Sequence, residues 1–169
     1  MALGHNDVVE MIRARYNVLV RYSCFISYGG PDKDFARMLY ESLTKQDVQA
    51  FFFPTHAVPG KRLHKVMRKG VNQYDRIILI CSKASLDRPG VLNELTETLQ
   101  REAREGGKDY LIPITLDNYV FKDWAPNEPQ LAQAVRDRVV ADFTGTIDDK
   151  VKFKKAFKKL MSALDKPLT

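Results

Sequence analysis

The chain has 169 residues, 44% of them apolar and 28% charged, the proportions of one soluble globular domain with a single core. Its formal charge of +6 biases encounters toward anions and leaves nucleotides, acidic protein surfaces and nucleic acid open. No stretch approaches the ~18 consecutive apolar residues of a membrane span, and the opening MALGHNDVVEMIRARY lacks the basic start and apolar run of a signal peptide, so neither is expected.

The first apolar run, Tyr22 to Ser27, predicts a strand, and Asp32 to Lys45 after it predicts a helix with Phe35, Met38, Leu39 and Leu43 on one side. Val48 to Phe53 predicts a second strand. Lys61 to Asn72 predicts a helix facing inward with Leu63, Val66, Met67 and Val71. Arg76 to Cys81 is the third strand. Asp87 to Glu105 is the next helix, with Val91, Leu92, Leu95, Leu99 and Ala103 inward, Pro89 in its first turn and Gly106–Gly107 at its end. Tyr110 to Ile114 is the fourth strand. Pro126 and Pro129 argue against regular structure across Leu116 to Pro129. Arg138 to Phe143 is the fifth and weakest strand, and Asp148 to Leu164 closes the domain as a helix with a Phe153, Phe157, Leu160, Leu164 stripe.

The middle strands are nearly continuous apolar runs, the pattern of strands buried on both faces in a parallel sheet. Five strand–helix units of this size predict an α/β three-layer sandwich with flavodoxin-like topology and strand order 2-1-3-4-5. The two cysteines, Cys24 and Cys81, sit inside apolar runs and are expected as buried free thiols, which makes a reducing, cytoplasmic setting the default. They are too few for a disulfide framework or a zinc cage, and no metal site is expected.

Ligands on such sheets bind beyond the carboxyl ends of the strands. That edge should gather Ser27 to Asp32, Pro54 to Gly60, Ser82 to Gly90 and Thr115 to Trp124. In SYGGPD, Gly29 and Gly30 permit a tight turn whose N–H groups could face an anion, or simply a turn with Asp32 capping the helix. His56, in PTHAVPG, could touch a ligand or sit in solvent. Glu94 should lie at the margin of the buried side of its helix near the strand ends, where a carboxylate could face a cleft; Glu97 is its rival one turn deeper. Neither GxGxxG, a P-loop, a GxSxG elbow nor a paired-carboxylate spacing is present. The lysines of KVKFKKAFKK, Lys150 to Lys159, read as a solvated face. No aromatic platform stands beside them for nucleic acid, so neither nucleic acid nor membrane is expected as a partner.

Taken together, FISYGGPDKDFARML (Phe25 to Leu39), VQAFFFPTHAVPG (Val48 to Gly60), DRIILICSKASLDRPGVLNEL (Asp75 to Leu95) and LIPITLDNYVFKDW (Leu111 to Trp124) resemble, in order, the boxes of Toll/interleukin-1 receptor (TIR) domains of the bacterial NAD-cleaving type. The resemblance implies a TIR domain at 21–165, with 1–20 as an N-terminal extension and 166–169 as a tail. It implies NAD+ as substrate rather than cofactor, with no other cofactor. Glu94 falls at the enzymatic glutamate. Tyr28, Gly29, Gly30, Pro54, His56, Arg62, Ser82 and Gly90 fall at substrate-side positions. Self-association, a partner sensor domain and a role in bacterial immunity or stress signalling are further implications. The chain departs from that pattern at Gly90, where active relatives carry an aromatic residue, at Phe53, where many carry an acid, and at Arg62 and Leu63, where some carry an aromatic. A TIR module that only assembles complexes is the alternative. A phosphoryl-accepting response-regulator domain would need an aspartate where this chain has Cys81.

Overall fold

The computed structural model describes residues 4–8, 11 and 20–166. Most of the 1–20 segment and nearly all of the 166–169 tail therefore lie outside the described residues. Five strands form one parallel sheet, as the apolar runs predict, in the expected order β2-β1-β3-β4-β5, which periodicity alone does not fix. They are β1 (Cys24–Ser27), β2 (Ala50–Phe51), β3 (Arg76–Ile80), β4 (Leu111–Thr115) and β5 (Ala141–Asp142). The long helices are α1 (Lys33–Lys45), α3 (Leu63–Gln73), α5 (Pro89–Arg104), α7 (Pro129–Arg136) and α8 (Lys150–Leu164); α2 (Phe53–His56), α4 (Lys83–Leu86) and α6 (Tyr119–Lys122) are single turns.

The sheet is covered on both faces, and alternate residues of each strand serve opposite layers. Cys24, Ile26, Ile78, Ile80 and Ile114 pack with Phe35, Leu39 and Leu43 of α1 and Leu160 and Leu164 of α8. On the other face, Leu79, Cys81 and Leu111 pack with Leu95 of α5 and Val135 of α7. Phe25 and Ile77 pack with Val71 of α3. Both cysteines are buried and free. Burial raises both thiols, Cys24 to about 12, which makes them inert core residues.

Three expectations are corrected. Pro129 does not end structure but opens α7, since proline's missing N–H and fixed φ suit a first helical turn; α6 also forms inside the segment expected to be irregular. Leu63 is 57% exposed at the start of α3. On α5, Ala103 is exposed, while Glu94, Thr98, Arg101 and Glu102 take buried positions that apolar periodicity could not assign to polar residues.

Arg101 and Glu102 find partners in the surrounding backbone. Glu102 accepts from the N–H groups of Tyr110 (2.7 Å) and Leu111 (3.1 Å) and from Arg138, fixing the start of β4 to α5. Arg101 donates to the carbonyls of Val71 and Tyr74 and stacks over the Tyr110 ring at 3.8 Å. At the amino edge of the sheet, the Tyr22 N–H donates to Leu164 (2.8 Å) and the Lys166 N–H to Val20 (2.9 Å), with Arg21 paired to Asp165.

Candidate functional site

Because all five strands run parallel, the loops after β1, β2, β3 and β4 meet at one carboxyl edge, where the four predicted segments lie. β1 delivers Ser27 and Tyr28 there. Gly29 follows under tight constraint: a Cβ on it would stand 2.8 Å from the Ala84 carbonyl oxygen and 2.9 Å from the Ser85 Cα. Only glycine lets these two backbones approach so closely.

Side chains then lock the two loops together. The Gly29 N–H donates to Ser85 Oγ at 2.8 Å. Ser85 and Ser82 both donate to the Asp32 carboxylate, and the Ser82 hydroxyl caps α4 by accepting from the Ser85 N–H. Asp32 thus does not cap the helix that follows it, as the sequence suggests, but ties the β1 loop to the β3 loop. The Gly29 N–H is consumed in this bracing, whereas Gly30 is exposed and has open space around it. The Ser82-x-x-Ser85 spacing was the available signal for the cap; nothing in the sequence joins it to Asp32.

Glu94 comes to the same edge from α5. It is only 7% exposed, and its Oε2 has no hydrogen-bond partner among the described residues; neither does the buried Ser27 Oγ. Burial pushes the Glu94 carboxyl up to about 7, with the Ser27 hydroxyl nearby but outside hydrogen-bond geometry. The Tyr28 phenol is raised, first by its own burial, and it also senses Arg37, which lowers it, and Glu94, which raises it further. Ser27, Tyr28, Arg37 and Glu94 are therefore one electrostatic neighbourhood. Glu97, by contrast, accepts from Asn72 (2.8 Å) and pairs with Arg68 (3.4 Å).

The β2 loop approaches through aromatic rings. Tyr28 stacks on Phe52 with centroids 5.7 Å apart; Phe52 stacks on Tyr40 at 5.3 Å, and the Arg37 guanidinium lies over Phe52 at 5.2 Å. His56 stacks on Phe51 at 5.1 Å, with Nδ1 close to the Phe52 backbone, so its ring is anchored to its own turn. Pro54 and Arg62 are exposed on this loop, and Gly60 has a φ of 85°, in the left-handed region. Gly90 is exposed, and a Cβ there would meet nothing within 4 Å. The structure thus brings Tyr28, Gly29, Ser82 and Glu94 together and leaves Pro54, His56, Arg62 and Gly90 on the surrounding surface. Sequence reasoning did not single out Ser27, Arg37, Phe52 or Ser85.

The buried carboxyl has a thermodynamic consequence. Glu94 holds its proton up to about pH 7 when folded, against the usual 4.5 of a glutamate. The stability it permits is full below about 4.5 and is lost as pH rises through about 7, where the folded state must either strip the proton or bury a charge. Glu94→Gln should therefore be more stable than wild type at pH 8, by on the order of 3 kcal/mol at about 1.4 kcal/mol per pKa unit, and equal to it at pH 4. Urea denaturation of both proteins at the two pH values measures this; equal differences at both would show that the carboxyl titrates normally.

Among the described residues no cluster of three or more His, Cys, Asp or Glu could hold a metal ion. No helix among them is long and apolar enough to cross a membrane.

Residues 24–161 match the TIR domain family. The fold is shared with the TIR domains of the activated Roq1 resistosome that directly recognises the pathogen effector XopQ, at a TM-score of 0.67 and 16% identity, covering 82% of this chain and 99% of that one. It is similar to the TIR domain of the Toll-related receptor TRR-2 from Hydra magnipapillata, at a TM-score of 0.60 and 15% identity, covering 82% and 98%. A metazoan TIR-STING receptor from C. gigas, in complex with 2',3'-cGAMP, matches at a TM-score of 0.61 and 19% identity, over 86% of this chain and 40% of that one. At these identities the likeness is one of fold.

Proposed function

Because this chain belongs to the TIR domain family, we propose that it is an NAD+ nucleosidase acting through Glu94. The observation that carries this reading is a buried carboxyl with an unpartnered oxygen at the carboxyl edge of a parallel sheet. Buried polar atoms are nearly always satisfied, and exceptions concentrate at functional sites. Ser27 and Tyr28 are the polar groups nearest that carboxyl electrostatically, and Tyr28 in turn senses Arg37.

The chemistry asks little else of the protein. The bond that breaks joins the ribose C1′ to the nicotinamide nitrogen. Its electron pair goes to the nicotinamide, which leaves neutral without a general acid. The ribose is left as an oxocarbenium-like cation, and a fixed anionic carboxylate lowers the energy of that charge. Water adds at C1′ and releases a proton, giving ADP-ribose. A nucleophile within the same molecule would give a cyclic isomer instead. The open space at Gly90 favours hydrolysis with some cyclisation. Mass spectrometry of the products checks this, and a sole cyclic product would contradict it.

Glu94 must be ionised to act, so its raised pKa sets a pH dependence. kcat/KM should rise with pH through a midpoint near 7, where the free domain loses this proton. A rate that stays flat from about pH 5.5 to 8.5 would mean that the carboxyl ionises lower in the assembled protein or takes no part, and turnover by Glu94→Gln separates the two.

One observation favours a second reading, an interaction module without catalysis: Glu94 is almost closed off from solvent. We reconcile this with catalysis through self-assembly, which would shift the exposed Pro54–Gly60 loop and open the approach to Glu94. Specific activity should then climb with protein concentration or crowding. Constant specific activity with no oligomer would refute the assembly requirement. Assembled wild type that turns over neither NAD+ nor its phosphorylated form would leave the module reading in place. A cytoplasmic role in bacterial immunity or stress signalling, with a sensor domain as partner, is consistent with this proposal.

A further inference from the structure

Two aspartates tie β1 to β3, one beyond each end of the pair. At the amino edge, the Ser23 N–H and hydroxyl donate to the Asp75 carboxylate at 3.0 and 3.1 Å, and the Asp75 N–H donates back to Ser23 Oγ. At the carboxyl edge, a single oxygen of Asp32 accepts from both Ser82 and Ser85. Both aspartates are half-buried, and Ser82 and Ser85 are buried. The two braces are matched in kind, but only the second stands beside Glu94. Asp32 ends the Gly30–Asp32 turn just beyond Ser27 and Tyr28. Ser82 caps α4 and Ser85 lies on it, and α4 leads directly into α5 and Glu94.

The seam between these two segments is tight. The Ser85 hydroxyl is used twice, donating to Asp32 and accepting from the Gly29 N–H at 2.8 Å. A Cβ on Gly29 would also stand 2.8 Å from Arg88 Cγ, so the turn lies against the residue that precedes α5. The two buried, unpartnered side chains belong one to each segment, Ser27 to the end of β1 and Glu94 to α5. The titratable group that couples to Glu94 from the β1 side is Tyr28, which in turn senses Arg37 of α1. A carboxyl stays dry only while such walls stay shut, because water that enters stabilises its charged form.

We infer that Asp32 is a positioning residue for Glu94: by holding Ser82 and Ser85 through one oxygen, it keeps the Tyr28–Gly30 turn shut against α4 and keeps water from the Glu94 carboxyl. Charge is not what this brace needs. A carbonyl oxygen also has two lone pairs, so asparagine can accept from both serines, whereas leucine, of similar size, accepts from neither. The inference deepens the reading of Glu94 as the reacting group, but its test reads a proton and an amide rather than turnover, so the two can fail separately.

The test follows the Glu94 carboxyl carbon by NMR in the full chain labelled with 13C-glutamate, assigned by the signal lost in Glu94→Gln, together with hydrogen exchange of the Gly29 amide. In wild type the carboxyl should titrate near pH 7. Asp32→Leu should lower that midpoint by at least about one pH unit, toward the ordinary 4.5, as water reaches the carboxyl. It should also speed Gly29 exchange at least about tenfold. Asp32→Asn should leave both readouts near wild type. Asp75→Leu breaks the matched brace at the other end of the same strands; it should destabilise the domain comparably and leave Glu94 and Gly29 unchanged. Should Asp32→Leu fail to fold, Ser85→Ala carries the test: it removes one of the two donors and should also lower the Glu94 midpoint. The inference is overturned if wild-type Glu94 titrates near 4.5, or if neither Asp32→Leu nor Ser85→Ala moves its midpoint. It is also overturned if Asp75→Leu or Asp32→Asn moves that midpoint as much as Asp32→Leu does.

Discussion

Glu94→Gln should cut nicotinamide release from NAD+ by at least about 100-fold in the assembled protein, with a smaller effect on substrate binding. Glutamine keeps the size of the side chain and its capacity to accept a hydrogen bond, so the loss isolates the charge. That charge matters most when the ribose turns cationic, which places its stabilisation in the transition state rather than the ground state. Glu97→Gln is the matched control. Glu97 is one turn further along α5 and spends its carboxylate on Asn72 and Arg68, so its variant should turn over near the wild-type rate. A position outside the core would leave stability unchanged; a glutamate only 7% exposed does not. The glutamine variant should therefore be more stable above pH 7 while being less active. That pairing separates a catalytic loss from a damaged fold. If the variant releases nicotinamide as fast as wild type, Glu94 is not the catalytic group.

Glu102→Ala should destabilise the domain by about 3–5 kcal/mol, the usual cost of removing one member of a buried charged pair. The carboxylate holds three donors at once: the Tyr110 and Leu111 N–H groups and the Arg138 guanidinium. Alanine leaves two buried backbone donors without a partner and leaves the arginine only the more distant Asp109, at 3.8 Å, as a counter-charge. Glu102→Gln keeps an acceptor for the backbone and should cost less. Urea denaturation at pH 7 measures both. A loss below about 1 kcal/mol for alanine would mean that water reaches these donors. Because Glu102 lies at the amino edge, near the start of β4, the milder glutamine variant should keep whatever NAD+ turnover the wild type has.

The sheet was legible because its strands are simple. RIILI and LIPI are apolar on both faces, which only a doubly covered parallel sheet tolerates, and the alternating helical stripes supplied the covers. What periodicity could not read were polar residues in apolar places. Glu94, Thr98, Arg101 and Glu102 occupy the inner side of α5, and a hydrophobic pattern registers such positions only as gaps. The site was legible in part. Strand direction alone gathers the four loops, so the edge could be named from sequence. Helical spacing put Glu94 near that edge, and the resemblance alone singled it out as the enzymatic glutamate. The bracing of Asp32 by Ser82 and Ser85 could not be seen, because it joins side chains some fifty positions apart through a contact made only by folding. The close approach at Gly29 is hidden for the same reason: a pair of glycines looks like a turn until the neighbouring backbone is in view.

The hydrogen bonds joining Val20 and Tyr22 to Lys166 and Leu164 give the domain a handle. Both flanks of the fold leave side by side from the amino edge, on the far side from Glu94. Cargo fused at either flank would hang behind the domain like a string behind a bead and leave the opposite rim clear, even in a crowded array. The same closeness makes the order of the chain dispensable. Residues 20 and 166 could be bridged by a short flexible linker and the chain reopened at Gly106–Gly107, two exposed glycines with φ of 79° between α5 and β4. Such a rewired chain would wind the same sheet from a different starting point.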